Sequence, residues 1–324
     1  MRVLSGIQPS GNLHLGNYFA MMKRMIDYQE SSELFCFIVN YHALTTVTDP
    51  NLLRQKTLDA AMDFLALGLD PKKSYFWVQG DLPEVHELSW LLSIVTSMGL
   101  LERSHAYKDK TAKGIIATHG LFAYPVLMAA DILLCGANKV PVGKDQIQHV
   151  EIARDIALRF NHTFGETFVI PEADIEEDIA TIPGIDGQKM SKSYGNAIDI
   201  FSDEKTMRQR VMAIKTDSTP VEEPKSIQDN PLFDIYSLFL DENGQQELKE
   251  RFETPGLRYG DVKKELFGVI WDYFSPYREK REQYANDKAY VVDVLKMGAE
   301  KTRKVAQEYV TKARNNVGLN YYNF

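Results

Sequence analysis

The sequence is poor in cysteine, with only Cys36 and Cys135 in 324 residues. Both sit in apolar runs, LFCFIV and ADILLCG, without a CxxC partner or a histidine at zinc spacing. A disulfide framework and a structural metal are therefore poor readings, and two buried thiols in a reducing, cytoplasmic setting are expected. Long apolar runs are missing as well. None reaches the length of a membrane helix, and MRVLSGIQPSG carries no signal-peptide pattern, so no membrane partner is expected. Positive charge is in deficit: 37 Lys and Arg stand against 45 Asp and Glu, a net charge of −8. Such a chain has no overall field to attract phosphate, so any RNA contact needs a local patch. No internal repeat, low-complexity tract, nucleophilic triad or metal-ligand cluster stands out.

What is present is an ordinary globular balance, 44% hydrophobic and 25% charged, long enough for a large domain and a smaller one. Residues 3–7 form a short apolar run ended by Pro9, Ser10 and Gly11, read as a strand and a turn. One apolar face follows over 14–28. Residues 34–39 are continuously apolar, as in a strand buried on both sides. Asp49 and Pro50 mark a helix start, and Gly68 its end. A third strand is expected at 75–79, helices at 84–100 and 117–134, a strand at 138–142 and a helix at 145–160. The alternation predicts an α/β domain with a doubly wound parallel sheet. After about residue 195 strand runs vanish. The stretch 215–231, with three prolines, reads as a connecting loop, and helical patterns fill the rest. The last helix, 288–314, has more Lys and Arg than Asp and Glu, which fits either a solvated face or RNA contact.

Two segments carry chemistry. The first strand runs into GIQPSGNLHLGN, and ligands of such sheets bind at the carboxyl ends of the strands. Gly6, Gly11 and Gly16 would let backbone N–H groups approach phosphate, with His14 and Asn17 as polar side chains. Glycines after a strand are also often plain turns. The second segment is KMSKS, Lys189 to Ser193, between glycines 184, 187 and 195. Its lysines at i and i+3 could clamp phosphates and neutralise charge on a leaving pyrophosphate. Further, Tyr124, Met128 and Asp131 fall on one helical face of YPVLMAAD, with Pro125 near a helix start. A carboxylate on an apolar face is expensive unless it is paired. An acceptor there invites a donor from a ligand, and an Asp capping a neighbouring helix is the alternative. In VPVGKDQIQHVEI, Ile147, Val150, Ala153 and Ile156 form the buried stripe, with Asp145 and Gln146 at the helix start.

HLGN paired with KMSKS resembles the signature of class I aminoacyl-tRNA synthetases. Long stretches of residues 1–200 (GIQPSGNLHLGNY, YPVLMAADILL, VPVGKDQIQHVEIARDIALRFN) are similar to the tryptophanyl-tRNA synthetase family of bacterial type. GAEKTRKVA at 298–306 carries the resemblance more loosely into the C-terminal third. The resemblance implies a Rossmann-like catalytic domain over 1–194 and a helical anticodon-binding domain over 195–324, with room for the last helix to pack back on the first. It implies a homodimer, activation of L-tryptophan by ATP with Mg2+ carried on the nucleotide, transfer to tRNA(Trp), and no structural metal. Catalysis falls to Lys108, Lys189, Lys192, His14 and Asn17. ATP falls to Gln8, Pro9, Ser10, Gly16, Asn17, Gly143, Lys144, Asp145, Ile182, Lys189, Met190, Ser191, Lys192 and Ser193. Tryptophan falls to Asp131, Met128, Tyr124, Gln146, His42 and Gln8. Taken alone, Asp145 reads equally as a helix cap and His42 as a satisfied core histidine. Lys110 and Lys113 lie close enough to Lys108 to exchange roles with it. Asn17 stands where the family signature ends in His, and it can still donate to phosphate. Tyr41 and Lys144 stand where close relatives often carry Gln and Glu. Rival readings are a tyrosine-specific synthetase, a nucleotidyltransferase acting without tRNA, and a non-catalytic paralogue that binds tryptophan or RNA.

Overall fold

The computed structural model describes residues 1–9, 11–104, 107–108, 118–143, 146–175 and 182–322. The chain forms two compact units, each assembled from distant segments: Met1–Gly11, Met25–Glu177 and Tyr284–Phe324 in one, Asn12–Arg24 and Asp178–Gln283 in the other. This partition differs from the functional division into 1–194 and 195–324.

The first unit is built on five parallel strands: β1 (Arg2–Ile7), β2 (Glu33–Ile38), β3 (Tyr75–Val78), β4 (Lys139–Pro141) and β5 (Glu172–Asp174), in the order β3-β2-β1-β4-β5. The order reverses at β1. With right-handed crossovers, that reversal puts helices on both faces, as expected of a doubly wound sheet. The strands pair because their side chains do. Phe35 lies in register with Tyr75 and stacks on it at 4.0 Å between ring centroids; Phe37 pairs with Trp77 at 5.0 Å. Cys36 and Cys135 are free and fully buried in this core, and burial pushes both thiols up.

The helix Pro50–Ala66 starts where Asp49 accepts from the Asn51 and Leu52 N–H groups, and Gly68, at φ 108°, follows its end. The helix expected over 84–100 is two, Glu84–Ser93 and Met98–Glu102. The Ser93 and Thr96 hydroxyls donate back to the Ser89 and Leu92 carbonyls, and the β-branched run of residues 94–96 disfavours helix. Pro125, expected near a helix start, lies inside the helix His119–Leu134, which Thr118 caps. The missing N–H leaves the Leu121 carbonyl without its i+4 donor. Strand β5 had no signal in the sequence: Glu-Ala-Asp is not an apolar run, and a short edge strand does not need to be one.

The helix Lys288–Asn316 packs on β3 in this same unit. Gly298 permits it, since a Cβ there would stand 1.7 Å from the Phe76 carbonyl oxygen. Much of the helix's positive charge is used within the fold. Lys301 lies 3.9 Å from the Tyr75 ring centroid, Arg303 pairs with Glu84 at 3.2 Å, and Arg314 pairs with Glu87. No helix among the described residues is long and apolar enough to cross a membrane.

The second unit joins the segment after β1 to the middle of the chain. Leu15 N–H donates to the Ile198 carbonyl and Ile200 N–H to the Leu13 carbonyl, each at 3.0 Å. Tyr18 and Phe19 then enter an aromatic cluster with Phe239, Tyr273 and Phe274, where the Tyr18 and Tyr273 hydroxyls lie 3.0 Å apart. Residues 215–230 form the expected loop, and Pro231 opens the next helix, Pro231–Ser237. The buried Lys225 ammonium orders the loop by donating to the Thr219, Pro220 and Glu223 carbonyls.

Candidate active site

In the first unit, polar residues gather at the carboxyl ends of the strands. Gln8 follows β1, His42 lies in the short helix Asn40–Ala43 after β2, Gln79 follows β3, and Gly143 follows β4. An open parallel sheet exposes backbone dipoles there, and ligands collect at the strand where the order reverses. Here that strand is β1, between β2 and β4.

Asp131 is the chemical centre of this end. It is 4% exposed, on the helix His119–Leu134. His42 Nε2 stands 3.1 Å from its Oδ2, and Gln79 Nε2 donates to the same oxygen at 2.7 Å. Burial pushes the Asp131 carboxyl up, while the hydrogen bonds from His42 and Gln79 pull it back towards ionisation. The helix-cap alternative for Asp131 fails, because its partners are side chains of two other strand ends. The ring of His42 meets that of Tyr124 edge to face at 5.7 Å, and the Tyr124 hydroxyl lies 3.1 Å from His149 Nε2. Asp131, His42 and Tyr124 are thus brought together. Met128 lies half-buried one turn before Asp131 on the same helix. Gln146 stands at the N-terminal end of the helix Ile147–Phe164 without a side-chain capping bond and is exposed, and Ile147 is only half-buried, whereas Val150, Ala153 and Ile156 are buried as expected.

Two residues of this cluster were not foreseen, Gln79 and His149. A polar residue closing a buried strand run, as in FWVQ, is the signal that Gln79 offered, whereas His42 came from the family resemblance. His149 falls on the buried stripe of its helix, where the rule that marked Asp131 applied to it as well. Lys108 is exposed on the first unit. Ser10, Lys144, Asp145, Lys110 and Lys113 lie outside the described residues.

The second unit holds the two signature segments together. His14 caps the turn Leu15–Asn17: its Nδ1 accepts from Asn17 N–H at 3.2 Å, and Asn17 Oδ1 accepts from His14 N–H at 3.4 Å. An accepting Nδ1 carries no proton, so the ring is neutral with its proton on Nε2. Burial, with Lys192 adding to it against Asp199, lowers the His14 pKa to about 4. The backbone then passes into a π-helical stretch, Tyr18–Met22, a distortion that recurs at functional sites.

Opposite this turn, Gly16 N–H donates to Met190 Sδ at 3.3 Å, and Met190 N–H to the Ile182 carbonyl at 2.9 Å. Met190 and Ile182 are buried, while Lys189, Lys192 and Ser193 face solvent and Ser191 is half-buried. The middle of KMSKS is therefore an anchor that presents the flanking lysines. Asn196, also unforeseen, braces the loop: it accepts from Ser191 N–H at 2.8 Å and donates to Asp186 at 2.8 Å and to the Lys189 carbonyl at 3.1 Å. Gln8, Pro9, Gly143 and Lys108 belong to the first unit, and His14, Gly16, Asn17, Ile182 and residues 189–193 to the second.

Comparison with known proteins shows the family. The family described as tRNA synthetases class I (W and Y) matches residues 1–275. The tryptophan–tRNA ligase of Campylobacter jejuni is 54% identical over 319 residues, spanning 98% of this chain and 100% of its own. That of Rhodopirellula baltica is 51% identical over 319 residues, with the same coverage. Among solved structures, the Campylobacter jejuni tryptophanyl-tRNA synthetase complexed with ADP and tryptophan superposes with a TM-score of 0.93, covering 98% of this chain and 100% of that one at 54% identity. The Mycoplasma pneumoniae tryptophanyl-tRNA synthetase follows at 0.81 and 29% identity, covering 100% and 99%. A doubly wound sheet, HLGN and KMSKS in one compact unit, and near-complete coverage by such relatives place this chain in the class I tRNA synthetases of the tryptophan and tyrosine family, within its bacterial tryptophan–tRNA ligase branch.

Proposed function

We propose that the chain activates L-tryptophan with ATP, forming tryptophanyl-adenylate and pyrophosphate, and then transfers the amino acid to tRNA(Trp). The observation that carries the choice of amino acid is the buried Asp131, held as an acceptor by His42 and Gln79. An indole offers one N–H and no acceptor, so a carboxylate on an otherwise apolar wall matches it. Met128 packs on the ring, Tyr124 and Gln146 hold the ammonium group, and Gln8 completes the pocket. Tyrosine presents a hydroxyl that both donates and accepts, which an acceptor alone serves less well.

In the first step the tryptophan carboxylate attacks the α-phosphorus and pyrophosphate leaves. The substrate is its own nucleophile, so no side chain need be activated, and catalysis rests on position and charge. Lys189, Lys192 and Lys108 neutralise the leaving phosphates, together with the Mg2+ that ATP brings. The Nε2–H of His14 and the amide of Asn17 donate to phosphate. Asp145 holds the ribose, while Pro9, Ser10, Gly16, Gly143, Lys144, Ile182, Met190, Ser191 and Ser193 line the nucleotide. In the second step a 2′-hydroxyl of the terminal adenosine of tRNA(Trp) displaces AMP.

The helical region after residue 195 reads the anticodon in this account. A second copy of the chain completes a homodimer, for which the exposed Trp90, Ile94 and Met98 offer apolar surface. Two buried, unpaired thiols suit a cytoplasmic enzyme.

ATP–pyrophosphate exchange with the purified protein tests the reading. Exchange is expected with tryptophan and not with tyrosine or phenylalanine. Exchange with tyrosine would keep the chemistry and overturn the pocket. A folded protein that binds ATP but exchanges with no amino acid would be a non-catalytic paralogue.

A further inference from the structure

We propose that Gln79 is a specificity-determining residue, which makes this enzyme demand an N–H on the substrate ring by fixing Asp131 as an acceptor. The inference rests on the reading of Asp131 as the residue that meets the indole.

The direction of each hydrogen bond follows from a fixed starting point. Tyr41 N–H is a backbone donor with no alternative, and it points at the Gln79 side chain at 3.0 Å. The amide atom facing it must be the oxygen, so the nitrogen faces Asp131. That nitrogen can only donate, and it meets Asp131 Oδ2 at 2.7 Å. A proton on Oδ2 would clash with it. His42 Nε2 meets the same Oδ2 at 3.1 Å, while Oδ1 takes no hydrogen bond among the described residues. Both internal donors thus converge on one oxygen, and the other is left for a donor from outside.

His42 alone does not fix this arrangement. Its ring can turn Nε2 from donor to acceptor by a change of tautomer, and Asp131 could then carry the proton itself. Gln79 has no such freedom. It is 1% exposed and pinned through Tyr41, so its amide cannot flip without setting two donors face to face. Without it, a buried carboxyl tends to take up a proton, and a protonated Asp131 offers a ring N–H no advantage over a ring without one.

The probe is a pair of substrates of one shape: tryptophan and 3-benzothienylalanine, in which sulfur replaces the ring N–H. The quantity measured is the ratio of their kcat/KM values in pyrophosphate exchange, which cancels any inactive fraction in a preparation. Gln79→Met and Gln79→Glu are compared with wild type, and Asp131→Asn with both. In Asp131→Asn, His42 and Gln79 take the amide oxygen and turn the NH2 towards the substrate, so the ratio should collapse. The ratio should fall about tenfold or more in each Gln79 variant, the size of one lost charged hydrogen bond. The preference for tryptophan over 5-methyltryptophan, which keeps the N–H but changes the shape, should stay within about twofold.

If the ratio collapses in Asp131→Asn and holds in both Gln79 variants, the role of Gln79 is wrong and that of Asp131 stands. If both preferences fall together, Gln79 merely supports the pocket's shape and the proposal is overturned. If the ratio does not respond even to Asp131→Asn, the underlying reading of Asp131 fails.

Discussion

Single side chains carry the sharpest expectations. Lys192 is exposed on a loop whose neighbour Met190 is anchored, which presents its side chain to solvent. Lys192→Ala should slow adenylate formation by about 10²–10³, the loss of one preorganised transition-state contact. Single-turnover kinetics would show it, and an unchanged rate would remove Lys192 from the mechanism. His14 makes a different prediction. Its pKa is lowered from 6.5 to about 4 in the folded chain, so between those values the unfolded state binds a proton that the folded state refuses. Its contribution is therefore complete above about pH 6.5 and is lost as pH falls through about 4. The wild type should lose more thermal stability between pH 7 and pH 5 than His14→Asn, which keeps a capping acceptor without a titrating ring. Equal losses would contradict the neutral, capping imidazole. Asp131 was legible because a polar group on an apolar face must be paired or used, and His42 through the family resemblance. Gln79 obeyed the same rule, yet a glutamine at the end of a strand draws less notice than a charge.

Elements were legible where a local rule sets them. Asp49, Pro50 and Gly68 bound their helix because caps and positive φ act over a few residues. Elements set by their neighbours were not. Strand β5 exists because β4 offers it an edge, and the helix expected over 84–100 breaks where two hydroxyls capture carbonyls. The strongest case is Gly298. GAEKTRKVA reads as helix, and nothing in it says that the glycine touches another backbone. Gly298→Val would drive side-chain atoms into the Phe76 carbonyl and lift the helix Lys288–Asn316 from β3. It should cost about 1–3 kcal/mol or more, read as a lower denaturation midpoint with an unchanged slope. A variant as stable as wild type would contradict the close packing.

Over the whole molecule, the shift in composition near residue 195 suggested that the chain divides there. The compact units of the structure are each assembled from separated segments, a different partition from the functional one. An apolar stripe announces that a helix is buried, but not against what. HLGN and KMSKS share a unit, whereas the residues assigned to tryptophan belong to the other. Lys192→Ala should therefore leave the tryptophan dissociation constant within about twofold of wild type, since uniform binding and transition-state binding are separable. Equilibrium binding without ATP checks this, and a large loss of affinity would mean that the loop helps to form the pocket. The account as a whole is tested most directly by charging tRNA(Trp) with purified protein, ATP and either tryptophan or tyrosine. It predicts tryptophanyl-tRNA and no tyrosyl-tRNA. Adenylate formed from tryptophan without any transfer to tRNA(Trp) would contradict it.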